Sequence, residues 1–354
     1  MRIVFRSGQL SSLRASLVIA LLAGVLAVSV LLAIGLGAAA VPPQETVRLL
    51  WAAVTGGSIR ADEVTAYQII WQVRTPRVLL AVLVGAGLSV VGVAIQAMVR
   101  NALADPFVLG VSSGASAGAV LVAATGALTA FGVYAVSAGA FLGALLVSAL
   151  VYLASRGAGG LSPLRLVLTG VAMAFGFQAV MSLIVYFVPD GESTSTVLFW
   201  SMGGFGAATW GALPVVAVAV TGTVVALRRS ARRLDVLALG DETSVTLGVD
   251  TAGFRRGLFV LTSLATGAMV AVSGAIGFVG LVMPHLVRLW TGAAHLRVLT
   301  VAPFAGAIFM VWADLVARTL VAPRELPLGV ITALVGVPVF VVLLRRRGYL
   351  FGGR

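Results

Sequence analysis

Side chains that could do chemistry are few in this chain of 354 residues, and they lie far apart. Asp314 is the one acid that falls well inside an apolar stretch, and Gln96 is the most conspicuous amide in such a position. Ionisable groups inside a membrane usually mark pathways for ions or substrates. A proton- or sodium-coupled transporter would need more such groups than this chain has. We therefore favour the interpretation that Asp314 braces or caps a neighbouring helix.

The remaining reactive residue types form no catalytic or metal-binding pattern. Cysteine is absent, which excludes disulfides, thiolate metal sites and cysteine nucleophiles. His285 and His295 fall near one membrane face, and no acid accompanies them at the spacing of metal ligands. Residues 110–114 have the letters of a nucleophile elbow, but that motif needs a strand, a turn and a helix around it. With no phosphate-binding loop either, we predict no catalytic residue, no metal site, no cofactor and no ATP hydrolysis on this chain.

The composition indicates the class of protein in which these residues sit. The chain is 60% hydrophobic and 10% charged, with a mean hydropathy of +1.10, whereas a soluble domain has about 25% charged residues. Its apolar runs are continuous rather than alternating, which disfavours a β-barrel. The net charge of +12 comes entirely from arginine and is typical of the cytoplasmic flanks of membrane helices, so we predict no nucleic-acid partner. The chain is predicted to be an all-α integral membrane protein.

Apolar runs of about 20 residues, the length that crosses a bilayer, organise the chain as one transmembrane domain over residues 1–354. With the N-terminus inside, eighteen of the 24 basic residues fall on the inner side and six on the outer side, as expected for this orientation. An even number of spans then leaves both termini in the cytoplasm. We place ten spans near 15–40, 76–99, 107–125, 130–154, 163–188, 211–227, 257–273, 275–292, 299–321 and 328–344.

Small residues and two outer connections give further detail. Gly110, Gly114 and Gly118 repeat every four residues and predict a smooth face for close helix packing. Residues 42–75 and 189–210 are predicted extracytoplasmic connections. The first reads as a long polar loop, and residues 190–206 read as a short surface helix with Trp200 at the membrane interface.

The only long polar interruption after the first spans is the segment 228–256, and it must lie in water on the inner side. Leu234, Leu237 and Ala238 share one face of a predicted short helix. Asp241 is predicted to cap a second short helix that runs to about Leu247, with Gly248 as its stop. Two short helices across the inner surface would suit a cytosolic partner. A solvated basic loop is the alternative.

These residues resemble a known family, the FecCD-type permease subunits of bacterial ABC importers for ferric siderophores, haem and vitamin B12. The resemblance runs in order from about residue 15 to residue 346. It is carried by Arg74-Thr-Pro-Arg77, by residues 92–96 and 100–115, by residues 237–243 and 247–249, and by residues 277–288, 313–314 and 317–332.

The resemblance implies a type II ABC importer permease with about ten membrane helices in a bacterial cytoplasmic membrane. Such a subunit pairs with a second permease subunit, two cytoplasmic ATPase subunits that use ATP and magnesium, and an extracytoplasmic binding protein. The spans at 163–188 and 328–344 would line its pathway, and Ala102 departs from the proline that is common near the gate. The implied sites are an ATPase-coupling segment (Leu237, Leu239, Gly240, Asp241, Glu242, Leu247, Gly248), binding-protein docking residues (Arg74, Arg77, Arg318) and a cytoplasmic gate (Asn101, Leu103).

The expected function is ATP-driven import of an iron chelate, with a ferric siderophore as the first choice. Haem and corrinoid substrates remain open. An ion-coupled secondary transporter is the rival from another class, but it would leave segment 228–256 without a partner. A membrane-embedded enzyme is a third reading, and it lacks catalytic residues.

Overall fold

A membrane segment must satisfy its backbone hydrogen bonds internally, and the apolar runs of this chain do so as helices. The computed structural model describes residues 12–37, 39, 41–157, 160–188 and 201–345. The terminal arginines at 2, 6, 346, 347 and 354 lie outside these ranges, as do Trp200 and most of the helix predicted at 190–206.

Fourteen α-helices follow one another in the described residues, joined by short 3-10 or π turns and one small hairpin. The hairpin pairs β1 (Arg156–Gly157) with β2 (Gly160–Leu161) in antiparallel fashion. The helices are α1 (Ser12–Gly35), α2 (Pro43–Thr55), α3 (Val64–Tyr67), α4 (Thr75–Val99), α5 (Val111–Thr125), α6 (Ala135–Ser155), α7 (Pro163–Phe187), α8 (Leu213–Arg229), α9 (Ala231–Leu237), α10 (Asp241–Thr246), α11 (Thr251–Ser273), α12 (Val279–Thr291), α13 (His295–Thr319) and α14 (Leu328–Arg345).

The predicted all-α membrane class is confirmed. Each of the ten predicted runs contains one helix, and among the described residues six helices are long and apolar enough to cross a membrane. A seventh span results if α8 and α9, bent by 65° at their junction, count as one. The helices α5 and α14 are apolar but shorter, and α12 has 13 residues.

Helix α4 occupies the centre of the fold, and every residue from Gly87 to Val99 is buried. Glycines allow its backbone to touch its neighbours directly. A Cβ at Gly85 would collide with the carbonyl of Gly306 on α13, and a Cβ at Gly92 would collide with the carbonyl of Gly280 on α12. Small residues at such contacts are the usual means of close packing in membranes, where burial of apolar surface gives no advantage over lipid.

The smooth face predicted on α5 is confirmed. Gly114 and Gly118 face Gly143 and Gly139 of α6, so closely that a Cβ on any of the four would meet backbone or Val side chains. At the start of this region Asp105 caps the turn as its position before Pro106 suggests, because its Oδ1 accepts from the backbone N–H of Phe107 at 2.9 Å.

Two predictions were wrong, one about a loop and one about the start of a span. Residues 42–75 are not a polar loop but mostly helical, since Thr46, Leu49 and Ala52 give α2 one buried face. The span predicted from residue 275 begins only at Val279. The preceding residues are unwound between Gly274 (φ 64°) and Phe278 (φ 68°), and they pack beside Gly203, whose Cβ would meet the carbonyl of Ala275.

Candidate coupling platform, gate and outer arginine cluster

The inner platform begins where α8 ends, because the chain turns through 65° at Ser230 and α9 runs off across the end of the bundle. Leu234 and Leu237 on α9 are fully buried, as the predicted apolar face requires. The side chain of Leu237 therefore supports the platform from within. It is not presented to a partner, contrary to its place in the predicted coupling set.

Helix α10 follows a glycine hinge rather than a side-chain cap. Gly240 has φ 108°, and Asp241 is the first helical residue, so the prediction that Asp241 caps this helix was wrong. Ser244 fastens α10 to α9, because its hydroxyl donates to the carbonyl of Val236 at 2.9 Å. Gly248, at φ 81°, ends the helix as predicted, and its N–H donates to the carbonyl of Val245.

Three apolar side chains stand out from this platform into the space below it. Leu239 is 62% exposed, Val245 61% and Leu247 59%, and Glu242 is exposed beside them. Exposed apolar residues on a segment rimmed by charge are typical of a surface that contacts another protein. Val245 joins Leu239 and Leu247 here although the sequence reasoning left it out.

One functional candidate is not singled out by the sequence patterns. This residue is Arg255, near the end of the polar segment 228–256. Its buried guanidinium donates to the carbonyl of Met98 at 3.2 Å, to the carbonyl of Leu161 at 3.0 Å and to Asp241 Oδ1 at 2.7 Å. One side chain thus joins the platform helix α10 to the inner end of α4 and to the strand before α7. A paired Asp and Arg fourteen residues apart, across a glycine stop, was the signal available in the sequence.

A second polar link ties the platform to α13. The backbone N–H of His295 donates to Asp235 Oδ1 at 2.9 Å, and the ring Nδ1 lies 2.7 Å from the same oxygen. Partial burial would raise the pKa of Asp235, but the hydrogen bonds from His295 outweigh it and hold that pKa below the usual range. His295 therefore has a structural role, because it links α13 to α9, in agreement with the packing role expected from the sequence.

The predicted gate lies next to the platform. Arg100 ends α4 in a left-handed conformation (φ 52°), and Asn101 Oδ1 then accepts from the backbone N–H of Leu103 at 2.9 Å. A cavity of 620 Å³ is lined by Asn101, by Pro163 at the start of α7, and by Leu239 and Gly240 of the platform. Leu103 is partly exposed nearby and does not line this cavity. The structure therefore brings Asn101 and part of the coupling segment to one place.

At the opposite end of the bundle, the three predicted docking arginines come together, but they point inward. Arg74 is 4% exposed, Arg77 7% and Arg318 6%. Arg74 donates to the carbonyl oxygens of Ile34 and Gly35 at the end of α1, and Arg318 donates to that of Ala33.

Two acids hold the middle member of this outer arginine cluster. Asp314 accepts from Arg77 at 2.8–3.2 Å and lies 3.5 Å from Arg318, so it braces α4 against α13 as its isolation in the sequence suggests. Glu325, in the connection before α14, makes a second paired contact with Arg77 at 2.7 and 3.0 Å and is 37% exposed. The expectation that all three guanidinium groups are presented to a partner needs correction, since each is buried and donates to a carbonyl or an acid of the chain itself.

Helix α7 has the opposite character to α4. Only Leu166, Gly170 and Met181 are buried along it, and large apolar side chains such as Phe175 and Tyr186 are exposed. No charged residue occurs between Leu166 and Phe187. In the part of the chain that the structure describes, no three His, Asp or Glu side chains gather as metal ligands would.

The described residues form a multi-pass helical bundle with a platform of two short helices at one end, which defines an integral membrane protein. The chain belongs to the FecCD transport family, whose profile matches residues 25–346. It is the membrane permease subunit of an ABC importer, not an enzyme. The ion-coupled and enzymatic alternatives are thereby set aside.

Individual relatives match most of the chain. It is 38% identical over 325 residues to the ABC transporter permease protein YvrB of Bacillus subtilis, covering 91% of each chain. It is 39% identical over 282 residues to the hemin transport system permease protein HmuU of Yersinia pestis, covering 78% of this chain and 84% of that one. A solved ABC transporter of the metal-chelate type, in an inward-facing conformation, superimposes with a TM-score of 0.80 at 32% identity and covers 93% of this chain and 99% of its own.

Other relatives differ in the substrates that their names give. Permeases 34–39% identical to this chain carry the names of molybdate import in Haemophilus influenzae, cobalamin import in Halobacterium salinarum and Fe(3+)-citrate import in Bacillus subtilis. Family membership therefore defines the mode of transport and leaves the substrate to be argued.

Proposed function

We propose that this permease carries an iron chelate, with a ferric siderophore as the first candidate, across a bacterial cytoplasmic membrane. The observation that carries the proposal is the long uncharged face of α7, where Leu168, Phe175 and Tyr186 are exposed and no charged residue follows Leu166. A free metal ion or small oxyanion crossing a membrane needs charged or polar groups along its path. A bulky chelate, which shields its metal with organic groups, does not.

The relatives support the same class of substrate. Names for hemin and Fe(3+)-citrate import occur among them, and the solved neighbour is of the metal-chelate type. A haem or corrinoid substrate would suit the same uncharged face, and the cobalamin relative keeps that alternative open.

We infer that a second permease subunit covers the exposed faces of α7 and α14, with an ATPase subunit below each platform and a binding protein outside. Leu239, Val245 and Leu247 would enter a groove of the ATPase, since their exposed side chains form the apolar part of the platform. Asn101 would act as the inner gate, because it shares a cavity with Leu239. A motion of the ATPase that displaces Leu239 would then reach Asn101 across the cavity that both residues line.

The substrate can be tested directly. The binding protein encoded beside the permease should be purified from iron-limited cells, and its ligand identified by mass spectrometry. Proteoliposomes containing the complete importer should then take up the ⁵⁵Fe-labelled chelate only with ATP inside and binding protein outside. Hemin, cobalamin and molybdate serve as competitors at matched concentration. Uptake of cobalamin or hemin without uptake of any iron chelate would refute the siderophore assignment and leave the importer mode intact.

A further inference from the structure

Two cavities lie between α6, α8 and α11 and share Leu261, so together they form one groove whose inner end meets α9 and Gly248 of the platform. Its outer part is a cavity of 790 Å³ lined by Tyr134, Val218 and Leu264, among others. Its inner part is a cavity of 540 Å³, and Leu261 lines both parts. Volumes of about 300–1,000 Å³ are typical of sites that hold small molecules.

The length of the groove suits a chain-like ligand. Its lining on α8 extends from Val215 to Ser230, which is about 22 Å at a rise of 1.5 Å per residue. One leaflet of the hydrocarbon core is about 15 Å thick, half of about 30 Å. A groove of this length is long enough to span one leaflet and to accommodate an acyl chain along its length.

Two glycines keep the groove open. Gly222 on α8 and Gly257 on α11 both line it, and a Cβ built at either position would meet no atom within 4 Å. They differ from Gly85 and Gly92 of α4, where the backbone of a neighbouring helix occupies the space that a Cβ would need. Their hydrogens face empty space, so the close-packing reason for glycine does not apply to them.

The two ends of the groove differ in polarity. Apolar and aromatic side chains dominate the outer part, whereas Ser230, Arg233 and Asp250 line the inner end. The bend between α8 and α9 places Arg233 beneath the groove. Arg233 is exposed, and no described acid forms an ion pair with it. Asp250 is occupied, because its Oδ1 accepts from the backbone N–H of Gly253 at the start of α11.

We propose that this groove binds one anionic glycerophospholipid of the inner leaflet, with an acyl chain between α8 and α11 and the phosphate on Arg233. Charge complementarity selects the occupant: the cytoplasmic leaflet is negatively charged, and basic pockets between membrane helices on that side bind anionic headgroups. Arg228, Arg229 and Arg232 are exposed on the same turn of chain but do not line the groove. The bound lipid would fill the space beside the joint from which the platform extends, whatever chelate the permease carries.

Native mass spectrometry of the full-length permease tests the proposal. The purified protein is incubated with palmitoyl-oleoyl phosphatidylglycerol or with phosphatidylcholine carrying the same chains. We expect one retained phosphatidylglycerol per subunit and about a fivefold preference over phosphatidylcholine, the ratio given by about 1 kcal/mol for one arginine near an anionic surface. Arg233→Gln should reduce the preference to near one. Arg232→Gln is the matched control, because it removes the same charge from the neighbouring residue, which does not line the groove.

Two leucine variants test the acyl-chain part. Gly257→Leu and Gly222→Leu fill the open space and should reduce retention of both lipids, with thermal unfolding measured to verify folding. Equal losses in R232Q and R233Q would overturn the proposal in favour of a diffuse basic surface. Unchanged retention in a folded G257L or G222L variant would overturn it as well. If the leucine variants instead dissociate the importer, the groove is a subunit contact and the lipid assignment is wrong.

Discussion

The contact between Arg255 and Asp241 leads to a specific prediction about energy coupling. Arg255 is anchored in the bundle by hydrogen bonds to the carbonyls of Met98 and Leu161, and it forms an ion pair with Asp241 on the platform helix α10. If the platform receives motion from an ATPase, this ion pair passes that motion to the inner ends of α4 and α7. Asp241→Asn should therefore reduce import per ATP hydrolysed while leaving the bundle folded.

The magnitude follows from the exposure of each partner. Asp241 is 41% exposed, so water replaces much of the lost attraction, and the pair contributes about 1 kcal/mol at most. A loss of about 1 kcal/mol corresponds to about a fivefold change in an equilibrium constant. Arg255→Gln is different, because two buried carbonyls lose a charged donor worth about 1.5–3 kcal/mol each, about 3–6 kcal/mol in total. We expect Asp241→Asn to uncouple transport from ATP hydrolysis and Arg255→Gln to destabilise the folded protein.

The assay measures uptake and ATP hydrolysis in the same proteoliposomes, with thermal unfolding of the detergent-solubilised complex measured in parallel. D241N should lower the ratio of uptake to hydrolysis by about fivefold, with an unfolding temperature close to that of the unaltered protein. Glu242→Gln is the matched control. It removes an equal charge from the next residue of α10, for which no described contact to Arg255 exists, so it should lower the ratio less than D241N does.

The double variant D241N/R255Q completes a thermodynamic cycle, because residues in direct contact give non-additive effects. Once Arg255 is replaced, the further change at Asp241 should have little effect on the coupling ratio. The reasoning is refuted if D241N transports and hydrolyses in the original ratio, or if D241N and R255Q act additively. Equal effects of D241N and E242Q would indicate loss of a charge on the platform surface rather than loss of this pair.

Further predictions concern the remaining contacts. Leu239→Asp and Leu247→Asp place charge on the exposed apolar part of the platform and should abolish co-purification of the ATPase, whereas unaltered co-purification would place the interface elsewhere. Gly92→Leu drives a side chain into the backbone of Gly280 and should prevent stable folding by overpacking, measured as loss of the monodisperse peak in size-exclusion chromatography, with Gly176→Leu on α7 as the control in open space. Asp314→Asn leaves the buried Arg77 without its main partner and should cost about 3–5 kcal/mol, whereas Glu325→Gln, at a partly exposed position, should lower the unfolding temperature much less. The pKa of Asp235 is lowered in the folded protein. The ionised carboxylate therefore stabilises the fold fully above the ordinary aspartate pKa of about 3.9, and this stabilisation is lost as pH falls through the folded pKa. The difference in unfolding temperature between the unaltered protein and Asp235→Asn should shrink as pH falls from 6 to 3.

Patterns that depend on neighbouring residues in the chain were predicted well from the sequence. The ten apolar runs all contain helices, Asp105-Pro106 caps its turn, Gly248 ends α10, and the glycines of α5 pack on α6. Each rests on local geometry or on the cost of exposing polar backbone to lipid. The apolar face of α9 was predictable for the same reason, since Leu234 and Leu237 lie one turn apart.

Pairings across the fold were not predictable in the same way. Arg77 is 237 residues from Asp314 and 248 from Glu325, and nothing in local spacing connects them. The three arginines do lie together at the end of the bundle opposite the platform, but the direction of each side chain depends on acids and helix ends that are distant in the sequence. The polar composition of residues 42–75 predicted a loop. The segment is instead mostly helical, and which side of α2 is buried becomes visible only in the fold. Docking of a binding protein near this cluster stays a prediction, with Glu325 as the most accessible of the charged groups around Arg77.

The contacts of α4 suggest how the fold divides when it moves. Its outer end is held to α13 through Arg77 and Asp314, its middle touches Gly306 and Gly280, and its inner end accepts a hydrogen bond from Arg255. Close-packed backbones do not deform gradually, because interiors at this density shift between discrete arrangements. Helices α4, α12 and α13 should therefore move as one body. Helix α7 is buried at only three positions and begins at the cavity shared by Asn101 and Leu239. A displacement of the platform that cannot bend α4 must therefore be taken up between α4 and α7, beside the predicted gate residue Asn101.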